Sequence, residues 1–154
     1  MWSNSYDIKV ATNQALMISG RYRSEAICRF WSLDNKDGYC SAPTCYRLKI
    51  KGDLYHILVI CPALNETRDK MFKYFHNYSL NYPIITSTVY KYANVQNPLL
   101  VQFLLDCSCL PDVISLSQIY GPDVLKILFR MTRKFCYRLH RARLLVQSNK
   151  SFTL

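Results

Sequence analysis

The chain has 154 residues, half of them hydrophobic, which suits one compact domain or two small helical ones sharing a core. Twenty Lys and Arg against ten Asp and Glu leave a formal net charge of +10, which favours polyanionic partners such as nucleic acid or an anionic membrane surface and specifies no fold. The longest apolar run, Pro98 to Leu105, is far short of the ~20 residues of a membrane span.

From Tyr6 to Trp31 the sequence predicts two helical pieces around Gly20. Ile8, Ala11, Ala15 and Ile18 recur at helical spacing, and Gly20 reads as a C-terminal stop. Ser24 is a candidate cap for the second piece, which would turn Ile27, Phe30 and Trp31 to a core. Ser32 to Cys40 is rich in turn-formers and reads as a loop. Pro62 suits the first turn of a helix, where its missing N–H is not needed. Leu64, Met71 (or the stem of Arg68) and Phe75 then fall along one face. Leu80 to Val95 shows no clean period and reads as irregular. Helices reopen with Asn97 as cap and Pro98 in the first turn, again at Pro111, and again at Pro122, where the longest one covers 122–147. The best strand signal is a short hairpin near Cys45 to Ile50. The expected class is mostly α: a small helical domain with an irregular Cys/His zinc-knuckle-like insertion and a long basic C-terminal helix. Residues 1–79 would hold the N-terminal helices, the Cys/His segment (40–61) and the following helix. Residues 80–154 would form the helical C-terminal region.

Seven cysteines is an odd number, and Met1 to Val10 has neither the basic nor the apolar part of a signal peptide. A reducing, intracellular compartment is therefore expected, with nucleus and cytoplasm both open, and there clustered cysteines bind metal more often than they form disulfides. Cys40, Cys45, His56 and Cys61 have the spacing C-x4-C-x10-H-x4-C. Zinc takes four tetrahedral N/S ligands, and Cys3His is one of its usual structural sets. Gly38 and Pro43 would make the first pair a tight turn, and His56 and Cys61 would sit on or beside one helical turn. Spacing alone leaves a Zn2+ site and a set of buried thiols both open. Cys107, Cys109, Cys28 and Cys136 read as small core residues. His76 and His140 read as solvated, His140 within a basic face.

Three segments, "GRYRSEAICRFW" (20–31), "GYCSAPTC" (38–45) and "DLYHILVICPALNETRDKMF" (53–72), carry a resemblance. They are similar to the region after the polymerase domain in reverse transcriptases of non-LTR (LINE-type) retrotransposons. Many such elements have two cysteines, a gap, a histidine four residues before a Cys-Pro, and an arginine beyond; the matching positions are Cys40, Cys45, His56, Cys61-Pro62 and Arg68. The gap between the first two cysteines is longer here than in many members. The stretch from Phe103 to Arg143 also resembles the end of many animal retrotransposon polyproteins. The resemblance implies a zinc-binding segment that holds template RNA or target DNA.

From Lys126 to Arg143 there are seven basic residues and no acid. Val124, Leu128, Met131, Phe135, Leu139, Ala142 and Val146 step by three or four and form an apolar face. A helix docked on that face would expose a cationic ridge, with Arg130, Arg133, Lys134, Arg138 and Arg141 placed to neutralise phosphates. Arginine's planar fork suits phosphate and also stacks on bases. Arg21 and Arg23, with Arg29, form a second cluster, and Arg47, Lys49 and Lys51 lie inside the knuckle segment.

No paired aspartates in a strand-turn-strand setting, no G-x-S-x-G, no P-loop and no H-E-x-x-H occurs in the chain, so an enzyme is not expected. A Cys61–His56 catalytic pair would use the residues that the zinc reading already uses, and four ligands make a closed, structural site. The expected function is a non-catalytic nucleic-acid-binding module with a structural zinc, with RNA or DNA bound through phosphates. The alternatives are a zinc-stapled protein-interaction domain and a decayed transposon fragment without selected function.

Overall fold

The computed structural model of the chain describes residues 5–24 and 37–151. The structure is mostly α. Its helices are α1 (Ser5–Ile18), α2 (Pro43–Arg47), α3 (Asn65–Ser79), α4 (Pro83–Tyr92), α5 (Leu100–Leu105), α6 (Pro111–Tyr120) and α7 (Asp123–Ser151). A π-helical turn (His56–Ile60) and a 3-10 turn (Pro62–Leu64) lead into α3, and a second 3-10 turn (Cys107–Cys109) joins α5 to α6. No strand forms among the described residues. An isolated antiparallel bridge, Tyr39 with Lys51, is the one extended pairing among them. Among the described residues no helix is long and apolar enough to cross a membrane.

The fold is built round α7, which packs against α1, α3, α5, α6 and both turns beside the Cys/His segment. The reason is its apolar stripe: Val124, Leu128, Met131, Phe135 and Leu139 are all buried, and Ala142 and Val146 pack at the margin, as the three-four stepping predicts. One continuous core joins Met17 to Leu139 across both halves of the chain. At its centre Phe75 meets Phe135 at 5.2 Å between ring centroids and Phe103 edge-on at 6.4 Å, and Tyr92 stacks on Phe103. Each ring so buried stabilises the fold by about 1.5–3 kcal/mol.

Proline and glycine place several helix ends. Pro43, Pro83 and Pro111 occupy the first turns of α2, α4 and α6, where their lost N–H is free of cost. Gly20 and Gly121 take positive φ just past α1 and α6. Asn97 accepts from the Leu99 N–H one turn before α5 begins, so it caps the approach rather than the helix itself.

Several expectations are corrected. The stretch from Leu80 to Val95 is not irregular: α4 buries Ile85, Thr88, Val89 and Tyr92, a complete i, i+3, i+4, i+7 stripe. Its polar member, Thr88, hides the period in the sequence. The hairpin near Cys45 to Ile50 is replaced by α2 and its turn. The buried face of α1 is Val10, Asn13, Gln14 and Met17, and Ile8 and Ile18 are about half exposed. Gln14 is satisfied inside: its Nε2 donates to Leu104 O (2.9 Å) and to Thr132 Oγ1 (3.1 Å) while its Oε1 accepts from Arg133 Nε (3.1 Å), and Asn13 Nδ2 reaches Met17 Sδ at 3.9 Å. Ser24 is buried, but the second helical piece expected to follow it, with Ile27, Cys28, Arg29, Phe30 and Trp31, lies outside the described residues.

Candidate metal centre and basic clefts

The segment from Gly38 to Cys61 folds as a knuckle. Cys40 N–H donates to Ile50 O (2.8 Å) and Gly52 N–H to Gly38 O (2.9 Å), which closes the loop across the Tyr39–Lys51 bridge. Inside it, α2 carries Cys45 and ends in a Schellman arrangement: Ile50 N–H reaches Cys45 O and Lys49 N–H reaches Tyr46 O. Lys49 occupies the left-handed position usually given to glycine, at φ 54°.

The other half of the knuckle depends on the π turn. Five residues along an α-helix turn through about 140° beyond a full revolution, so His56 and Cys61 would face apart. In the π turn Cys61 N–H bonds to His56 O at 2.7 Å, an i to i+5 closure that returns Cys61 to the histidine's side. Asp53 Oδ1 accepts from the His56 N–H (2.8 Å) and holds the start of the turn.

The ligand atoms of Cys40, Cys45, His56 and Cys61 lie within 4.8 Å of one another, and all four residues are buried. Cys40 Sγ and Cys61 Sγ are 3.8 Å apart. Their hydrogen bond, with burial behind it, pushes the Cys40 thiol up to about 12, and the same bond lowers Cys61; burial raises Cys45. His56 Nε2 is buried without a hydrogen-bond partner. An unsatisfied buried ring nitrogen is costly, and three crowded sulfurs beside it are soft donors. The residues therefore fit a metal ion: each of the four offers one donor, and an ion would satisfy the orphaned nitrogen.

Arg68, only 2% exposed, stands beside the cluster in a placement that spacing alone does not show. Its guanidinium donates to the carbonyls of Leu58 (2.9 Å), Ile57 (3.2 Å) and Cys61 (3.3 Å) and to Asn65 Oδ1 (2.6 Å). It thereby ties α3 to the free carbonyls of the π turn. Burial lowers its pKa and the Cys61 sulfur opposes that shift.

The last turns of α7 cover the knuckle: Arg143, Val146 and Gln147 border the same small void as Cys40 and Cys61. Arg143, the last of the seven basic residues, is 8% exposed and donates to Tyr22 Oη (3.2 Å) and Arg23 O (3.0 Å), so it locks the 20–24 segment onto α7. His140 is not solvated as expected; it is half-buried, with Nδ1 2.8 Å from Tyr22 Oη. His76 is also half-buried, stacked on Tyr90 at 4.4 Å. Cys107 and Cys136 are buried, as expected, but Cys109 is exposed and accepts from Gln102 Nε2.

Six of the seven basic residues expected to meet phosphate divide between two clefts. A cleft of about 730 Å³ between α1, α3 and α7 is lined by Lys126, Arg130, Arg133 and Lys134, together with Tyr6, Tyr74, Tyr78 and Phe129. A second, of about 700 Å³ between α1 and the end of α7, brings Arg21, Arg23 and Arg141 together beside Ile8, Leu16 and Leu144. Arg138 is exposed and lines neither. Arg47, Lys49 and Lys51 are exposed on the knuckle. The tyrosines of the first cleft are the members that charge counting misses; Tyr74 and Tyr78, four apart on α3, are the signal that points to them.

Comparison with known protein families, with characterised proteins and with solved structures gives no match.

Proposed function

We propose that this chain is a non-catalytic nucleic-acid-binding module folded round one structural Zn2+. The observation that carries the reading is a buried Cys3His donor set lying directly under the helix whose outer surface bears the exposed arginines. Zinc is favoured over other ions by the donor chemistry, three thiols and an imidazole with no carboxylate. The charge balance agrees. A divalent ion on three thiolates and a neutral imidazole leaves roughly one net negative charge, and the buried Arg68 guanidinium beside Cys61 supplies its opposite. With all four positions filled by protein, the ion would hold the fold and leave no place for substrate.

The nucleic-acid part rests on the net charge of +10 and on Arg130, Arg138, Arg141, Arg21 and Arg23, which all remain exposed. Arg133 and Lys134 contribute from half-buried positions. The resemblance to the C-terminal region of non-LTR retrotransposon reverse transcriptases supplies the biological setting we propose, a module that holds template RNA or target DNA in an intracellular compartment. A second reading, a zinc-stapled protein-interaction domain, draws on the exposed Ile8, Leu16 and Leu144 in the arginine-rimmed second cleft.

Two measurements test the proposal. Mass spectrometry of the native protein should find one zinc per chain, lost in His56→Ala and in Cys61→Ser. Binding to nucleic acid should weaken with salt, by about 0.9 log units per log unit of salt for each duplex phosphate neutralised. A metal-free, well-folded wild type refutes the zinc site, and salt-insensitive affinity refutes the phosphate contacts.

A further inference from the structure

The cleft between α1, α3 and α7 has a composition that phosphate binding alone does not require. Its cations stand among aromatic rings: Lys134 Nζ lies 4.6 Å over the Tyr74 ring, and Arg133 lies 5.3 Å from the centre of Phe129. Tyr74 is stacked in turn on Tyr78, at 5.5 Å between centroids. A basic side chain held on a ring has already given up part of its rotamer freedom, so it loses less entropy when it takes a phosphate. The α1 wall supplies Tyr6, which is 41% exposed and set edge-to-face with Tyr137 at 5.5 Å. The cleft holds four basic residues against one acid, Asp7, so its field remains cationic.

An exposed ring beside positioned cations offers a base a flat surface and its phosphate a charge. In a duplex the base faces are hidden in the stack and only groove edges are presented, whereas a single strand can splay its bases onto aromatic side chains. An acidic peptide would use the cations and leave the ring idle. We propose that this cleft binds a single strand of nucleic acid, with Arg130 and Lys134 on its phosphates and Tyr6 stacked on an unpaired base. The proposal rests on the nucleic-acid reading above and narrows it to a strand form and a place.

The test is fluorescence anisotropy of the full, zinc-loaded chain with a labelled oligouridylate of about 12 nucleotides, within the ~4–16 that small binding folds cover, and with a duplex of equal length. The single strand is expected to bind more tightly than the duplex. Tyr6→Ala should weaken it about tenfold with the salt slope unchanged, and Tyr6→Phe should keep wild-type affinity because the ring is retained. Arg130→Gln should lower the salt slope by about 0.7, the value for one single-strand phosphate, and should cost more than Arg21→Gln in the second cleft. Wild-type affinity in Tyr6→Ala, a duplex bound as tightly as the strand, or a larger loss in Arg21→Gln overturns the cleft assignment and leaves the broader nucleic-acid reading standing. Poly-glutamate displacing the strand equally well from wild type and from Tyr6→Ala shows charge without stacking and also overturns it. No binding of either probe overturns both readings.

Discussion

At the scale of single residues, the polar side chains buried in this protein act as ties between elements. Gln14 joins α1 to α5 and α7, and Arg68 joins α3 to the π turn. His140 has the same role between α7 and Tyr22, and it gives the fold a pH dependence. Burial, followed by the charges of Arg143 and Arg141, holds its pKa below the ordinary 6.5. The unfolded chain therefore takes up the proton first as pH falls. Stability linked to His140 is full above about pH 6.5 and is lost as pH drops through the lower folded value. Thermal melts of wild type and His140→Gln are expected to diverge accordingly, with the wild type losing more stability between about pH 7 and pH 5. Parallel losses in the two proteins would rule out this residue as the cause.

At the scale of elements, the knuckle is shaped by two departures from the α-helix. The π turn brings a histidine and a cysteine five apart to one side, and any return to α geometry would swing one of them away. Lys49 adopts the left-handed conformation at the end of α2, where a side chain costs about 1–2 kcal/mol. Glycine avoids that cost but loses about 0.5–1 kcal/mol through its freer unfolded chain. Lys49→Gly is therefore expected to stabilise the protein, by about 0.5–1 kcal/mol in denaturant unfolding. Destabilisation would mean that the lysine side chain makes a contribution that the Schellman geometry does not account for. The helix starts at Pro111 and Pro122 were legible in the sequence, whereas Pro43, read as part of a tight turn, and Pro83, in a stretch read as irregular, open helices that it did not show. α4 was hidden because a threonine replaces the apolar residue expected at one position of its stripe, and Thr88 is buried among the helices all the same.

At the scale of the whole molecule, the Cys/His knuckle and the helical core are fastened along α7, and the zinc proposed for the knuckle would add an energy of its own. Zinc-finger peptides gain about 10–16 kcal/mol from their ion, against about 5–15 kcal/mol for the net stability of a domain. The knuckle's own backbone supports are few, a short helix, one bridge and the π turn, and Arg68 with the buried Ile57 and Leu58 joins it to the core. The core from Met71 to Leu139 has its own aromatic centre in Phe75, Phe103 and Phe135. With the proposed zinc bound, its chelation is expected to abolish hydrogen-exchange protection at amides of residues 38–61 while α3 to α7 keep theirs. Global unfolding on chelation would show the core to depend on the ion, and unchanged protection would show that the knuckle does not.

The helical class, the apolar stripe of α7, the helix starts at Pro111 and Pro122 and the four residues of the Cys/His set are legible in the sequence, since each is written in local spacing or in the conformational limits of proline. The tertiary structure decided what spacing cannot hold. Ile8 and Ile18 are left at the surface and Gln14 goes inside because hydrogen bonds from α5 and α7, about a hundred residues along the chain, satisfy the amide there. It likewise divided the basic residues between two clefts and fixed Arg143 inward on Tyr22. Charge along a helix is a property of composition, but which charges remain available to a ligand depends on what distant segments are packed beside them.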